Sequence, residues 1–108
     1  MQDIIIKDLV SGIRNVTSGK LISIILYGSV AHVTATSESD VDVAIVLNGK
    51  MNKQMEDALS DVIVDLNLKY DRVFSVVDID YNELKQWSRA LPYFQNVQNE
   101  GIVLWKAA

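Results

Sequence analysis

The sequence predicts a layered α/β domain with helices packed over one sheet, and three observations carry that prediction. An amphipathic helical period opens the chain. Short β-branched apolar runs, the first two closed by glycine-bearing turns, then alternate with longer helical patterns. The resulting order is helix, strand, strand, helix, strand, helix, helix, strand, with no internal repeat, low-complexity stretch or linker, so residues 1–108 read as a single domain.

The first helix starts at Asp3, where Ile5, Ile6, Leu9, Val10, Ile13 and Val16 recur at helical spacing before Ser18-Gly19 stops it. Leu21–Tyr27 is too short and too β-branched for a helix and ends at Gly28-Ser29, which predicts a buried strand. The small, polar segment 30–39 predicts a helical turn and then a loop. Val41–Leu47 reads as a second buried strand closed by Asn48-Gly49. Met55, Leu59, Val62, Ile63, Leu66 and Tyr70 line one face of a second long helix, while Lys50, Lys53, Glu56 and Asp57 form a solvated face. Val73–Val77 is the third strand. Asp80 and Glu83 resemble a capping box that opens a helix through Trp87. After Pro92, a short helix over Tyr93–Asn99 ends at Gly101, and Ile102–Trp105 returns as an edge strand. Trp87, Tyr93, Phe94 and Trp105 are expected to complete the core or to form a partner surface, and Met51 and Met55 to fill the core or an interface.

Composition narrows the function. The chain has 108 residues, 49% apolar and 22% charged, and a formal charge of −4. Its Lys and Arg residues are scattered, which removes the electrostatic basis for independent nucleic-acid binding. Cysteine is absent and histidine occurs once, as His32, so thiolate chemistry, disulfides and a histidine zinc site are excluded. The apolar runs are far shorter than the roughly 18 residues a membrane span needs. A cytoplasmic, soluble protein is the expectation.

One constellation carries chemistry. Asp40 and Asp42 stand two residues apart at the head of a strand, so their carboxylates leave the same face while Val41 and Val43 point into the opposite layer. Paired carboxylates either raise one pKa or recruit a cation, and oxygen ligands on a rigid strand suit Mg²⁺, which keeps positions for water and phosphates. An isolated D-x-D is more often a solvated strand end. Here, however, Gly28-Ser29 closes the preceding strand, where a glycine backbone and a serine hydroxyl can cradle an anion. The combined pattern G-S-x₁₀-D-x-D arises by chance in a chain of this length on the order of once in a thousand.

The segment LYGSVAHVTATSESDVDVAIVL resembles the signature of the polymerase-β-type nucleotidyltransferases. Together with DLNLKYDRVFSVVDID and LPYFQNVQNEGIVLWK, it makes most of the chain from Leu21 onward similar to the minimal nucleotidyltransferases (MNT). The resemblance implies a polymerase-β palm-like α/β (α+β) fold with a mixed sheet. It also implies transfer of a nucleoside monophosphate, AMP above all, from ATP or another NTP to a hydroxyl on a partner protein or small molecule. In that reading Gly28 and Ser29 hold the β and γ phosphates, and Asp40 and Asp42 carry two Mg²⁺ ions. A small helical HEPN-type protein is the implied partner in a toxin–antitoxin pair; a homo-oligomer is compatible with the sequence.

Family members carry a third carboxylate on the next strand. Registering VFSVVDID on that strand puts Ser75 at the acidic position; Asp78 or Asp80 takes it only with a shifted register, and alternation puts Asp78 on the face opposite Ser75. The loop differs too, with Val30, His32 and Val33 where relatives have Arg and a further Gly. The alternative function is therefore a catalytically weak or inactive nucleotide-binding module that acts by binding its partner.

Overall fold

The computed structural model describes residues 3–17, 19–27, 41–83 and 101–107. In chain order these form α1 (Asp3–Thr17), β1 (Leu21–Tyr27), β2 (Val41–Leu47), α2 (Lys53–Tyr70), β3 (Phe74–Asp80) and β4 (Ile102–Lys106). The strands make one mixed sheet in the order β3-β2-β1-β4. β1 runs antiparallel to both β2 and β4, whereas β2 and β3 are parallel, joined by α2 as a crossover.

Helix α1 buries Ile5, Leu9, Ile13 and Thr17, one residue per turn. The Thr17 hydroxyl donates to the Ile13 carbonyl at 2.7 Å, which satisfies a polar group that is otherwise fully buried. Gly19, at φ +87°, then turns the chain into β1. Helix α2 starts at Asn52, whose side chain accepts from the Met55 amide at 2.8 Å, and ends at Asp71 in the left-handed region. Asn67 Oδ1 accepts from the Phe74 amide at 2.9 Å and so ties the end of α2 to the start of β3.

Both helices pack on one face of the sheet. The main core joins Ile5, Leu9 and Ile13 of α1 and Leu59 and Leu66 of α2 to Val41, Val43, Ile45 and Leu47 of β2. A smaller cluster of Ile25, Ala44, Val46 and Ile79 lies on the other face, with Tyr27, Val77 and Tyr81 at its margin. Strand β2 is therefore buried on both sides, which explains its nearly unbroken apolar sequence.

The first helix and strands β1, β2 and β4 lie where the sequence puts them. Strand β3 does not: it starts at Phe74 rather than Val73 and continues to Asp80. Its seven residues pair one for one with all of β2, and that ladder overrides the low strand preference of Asp78 and Asp80. Asp80 still caps the helical turn at 81–83 by accepting from the Asn82 amide at 3.0 Å. Glu83 pairs instead with Lys50, at 3.6 Å. The expected turn at 30–39, the helix beyond Glu83 and the helix over 93–99 lie outside the described residues.

Candidate functional site

Asp42 is the second residue of β2, half-buried, and flanked by a strand on each side. In the antiparallel ladder it faces Tyr27 of β1, and in the parallel ladder Ser75 of β3. Val41 and Val43 are completely buried against the helices, so alternation turns Asp42 to the opposite face, as the sequence predicts. Tyr27 shares that face, because it packs with Ala44 and Val46. Ser75 shares it with Val77 and Ile79 and is exposed. Tyr27, Asp42 and Ser75 thus form a row across three strands.

The end of β1 and the heads of β2 and β3 lie side by side at this edge of the sheet; the Val41 amide donates to the Val73 carbonyl at 2.8 Å. Gly28 and Ser29 follow Tyr27 directly in the chain, and Asp40 precedes Val41. These three predicted site residues, and His32, lie outside the described residues.

The register settles which β3 residue neighbours Asp42. Ser75 is opposite it, whereas Asp78 pairs with Ile45 and Asp80 with Leu47, about 10 Å and 17 Å farther along the sheet. Asp78 and Asp80 also face the helix layer. There they line a cavity of about 280 Å³ with Gly49, Lys50, Met51, Glu56 and Glu83. Neither can act beside Asp42 without a change of register and face.

Asp42 and Ser75 present only oxygen donors, which fits a hard divalent cation such as Mg²⁺, and the exposure of Ser75 leaves room for water and phosphate oxygens. Among the described residues no group of three or more His, Cys, Asp or Glu converges. A larger cavity of about 550 Å³ lies elsewhere, between α1 and β4, lined by Ser11, Arg14, Asn15, Gly19, Leu21 and Trp105. The Arg14 guanidinium sits 4.9 Å from the centre of the Trp105 ring, so this arginine is engaged in stacking.

The place of Tyr27 was not anticipated from the sequence. Its signal was available as the last residue of β1, but the antiparallel register that sets it beside Asp42 is a property of the paired strands and not of any local motif.

Residues 12–107 match the family model described as polymerase beta, nucleotidyltransferase. MJ0604 of Methanocaldococcus jannaschii, named as a candidate protein adenylyltransferase, is 34% identical over 103 residues, which cover 93% of this chain and 94% of that protein. The complex of MNT antitoxin with tri-AMPylated HEPN toxin from Shewanella oneidensis matches at 21% identity and a TM-score of 0.63, covering 99% of this chain and 74% of the matched one. A toxin–antitoxin structure with AMP-PNP matches at 21% identity and a TM-score of 0.64, covering 94% and 73%. At those identities the two structures show a shared fold. No helix among the described residues is long and apolar enough to cross a membrane. The family match over nearly the whole chain and the close relative agree, and the protein belongs to the polymerase-β nucleotidyltransferase family.

Proposed function

We propose that this chain is a Mg²⁺-dependent protein adenylyltransferase that transfers AMP from ATP to a hydroxyl of a small helical HEPN-type partner, as the antitoxin of a toxin–antitoxin pair. The observation that carries the reading is the position of Asp42 at the head of a buried central strand, turned away from the helix core and beside the exposed Ser75. The relative named for protein adenylyl transfer, and the shared fold with the MNT–HEPN complex and the AMP-PNP structure, support the choice of nucleotide and partner.

Gly28 and Ser29 hold the β and γ phosphates in this reading, and Asp40 and Asp42 hold two divalent ions. Bound Mg²⁺ supplies charge that polarises the α-phosphate and offsets charge on the attacking and leaving oxygens. The acceptor oxygen forms a bond to the α-phosphorus. The bond from that phosphorus to the bridging oxygen breaks, pyrophosphate leaves with the electron pair, and the hydroxyl proton passes to solvent. The chain's own residues bind and orient the nucleotide, so most of the rate advantage is positional. Residues 1–108 act as one minimal domain working in the cytoplasm, with no affinity of their own for nucleic acid.

The test is label transfer from α-labelled ATP to the co-purified partner in the presence of Mg²⁺. Asp42→Asn is expected to reduce transfer by about 100-fold or more, the scale on which a single charge-positioning group acts. Wild-type protein that labels no partner, yet blocks it as well as Asp42→Asn does, would establish the second reading, a nucleotide-binding module that works by contact. The neutral Ser75 beside Asp42 is the observation in its favour.

A further inference from the structure

We infer that the cavity between α1 and β4 docks a carboxylate side chain carried on an acidic peptide segment of a partner protein, with Arg14 as the group that grips it. This site is separate from the one around Asp42 and does not depend on the transferase reading.

The cavity holds about 550 Å³, within the roughly 300–1,000 Å³ of ordinary ligand pockets. Ser11, Arg14 and Asn15 share one face of α1 and form one wall; Leu21 and Trp105 stand across from them. The Arg14 guanidinium lies over the Trp105 ring, which restrains this long side chain before any ligand arrives. That contact engages its charge but supplies no oxygen to its N–H donors. Among the described residues no carboxylate lines the cavity or pairs with Arg14.

Local charge selects the ligand. Arg14 is the one charged side chain among the described lining residues; Lys20, close by in sequence, reaches instead to the Lys50 carbonyl at 3.0 Å. Helix α1 ends at Thr17 beside the cavity, and a helix C-terminus contributes about half a negative charge. One arginine set against that half charge suits a monoanion and disfavours a phosphate dianion. A carboxylate is the monoanion whose two oxygens match a guanidinium in paired hydrogen bonds. The Ser11 hydroxyl and the Asn15 carboxamide both donate and accept, as a peptide backbone requires, and Trp105 offers an apolar wall to flanking side chains. The space is larger than a free carboxylate ion needs. Leu21 opens β1 and Tyr27, beside Asp42, closes it, so a docked segment lies about 20 Å along the sheet from Asp42. A partner held here leaves that edge of the sheet open.

The experiment titrates the ¹⁵N-labelled full-length chain with acetyl-Leu-Glu-Leu-amide and follows the Trp105 indole and Arg14 Nε signals by NMR. Both signals are expected to shift and saturate, with acetyl-Leu-Gln-Leu-amide binding about tenfold more weakly. Arg14→Gln, checked for folding by circular dichroism, is expected to lose about tenfold in affinity for the glutamate peptide and to bind the two peptides alike. Arg14→Lys stands in if that variant fails to fold, with a loss of about threefold or more, because a point charge makes no paired bonds. Sodium acetate and inorganic phosphate are the competing arms, each expected to bind about tenfold or more weakly than the glutamate peptide. Equal binding of the two peptides, or no saturable shift at about 10 mM peptide, overturns the inference. Acetate that binds as tightly as the peptide shows a site for small free acids, and phosphate that does so shows a site for dianions; either result also overturns it.

Discussion

Asp71 ends α2 at φ 50° and ψ 45°, the one described non-glycine residue with a left-handed backbone. A side chain there crowds the following carbonyl at about 1–2 kcal/mol, more than the roughly 0.4–1 kcal/mol that a glycine loses through added freedom in the unfolded chain. Asp71→Gly should therefore stabilise the protein by about 0.5 kcal/mol, seen as a higher urea midpoint at an unchanged slope. Asp71→Val, β-branched and unable to bond its own backbone, should lower that midpoint. Since the residue lies three positions before Phe74, this change alters the fold's stability without touching Asp42 or Ser75.

Between the two helices, one position controls the approach. A Cβ added at Gly12 would lie 2.7 Å from Val62 Cγ1, and valine has little rotamer freedom with which to move aside. Gly12→Ala is expected to cost about 1–3 kcal/mol through overpacking, less the ~1 kcal/mol alanine contributes to helix preference. Val62→Ala in the same chain should recover much of the loss, so a double-mutant cycle will show strong coupling. Farther along the pair, Lys69 Nζ lies 2.7 Å from Asp8 Oδ2, and the Tyr70 hydroxyl donates to the same carboxylate oxygen. The hydrogen bond from Lys69, with that from Tyr70, holds the Asp8 carboxyl below its ordinary 3.8. The bond to Asp8 pushes Lys69 above 10.5 and Tyr70 above 10.0. Asp8 favours its native ionised form, so its contribution is present above the unfolded value and disappears as pH falls through the native one. Lys69 and Tyr70 favour their native protonated forms, so theirs is present below the unfolded values and is lost as pH rises through the native ones. The difference in urea midpoint between wild type and Asp8→Asn should therefore be greatest between about pH 5 and pH 9 and shrink toward both extremes.

Across the whole molecule, legibility followed the strength of the local pattern. Strands β1 and β2 could be bounded from sequence because their β-branched runs stop at Gly28-Ser29 and Asn48-Gly49. The orientation of Asp42 was legible too, because Val41 and Val43 had to enter the core. The reach of β3 was not: Asp78 and Asp80 look like turn residues until β2 is present to pair with them. Tyr27 stayed hidden for a related reason. Strand β2 is apolar on both faces, so its composition does not select one register over another, and the neighbours of Asp42 depend on the assembled sheet.

That assembly joins distant parts of the chain. Strand β1 takes one edge partner from β2 and the other from β4, where Ser23 pairs with Lys106 and the Ala107 amide donates to the Ile22 carbonyl at 2.8 Å. During synthesis at about 5–20 residues per second, β1 must wait several seconds for that second partner to be made. A nascent chain emerging from the ribosome therefore carries a bare, apolar strand border, at risk of sticking to its neighbours, until β4 arrives to shield it.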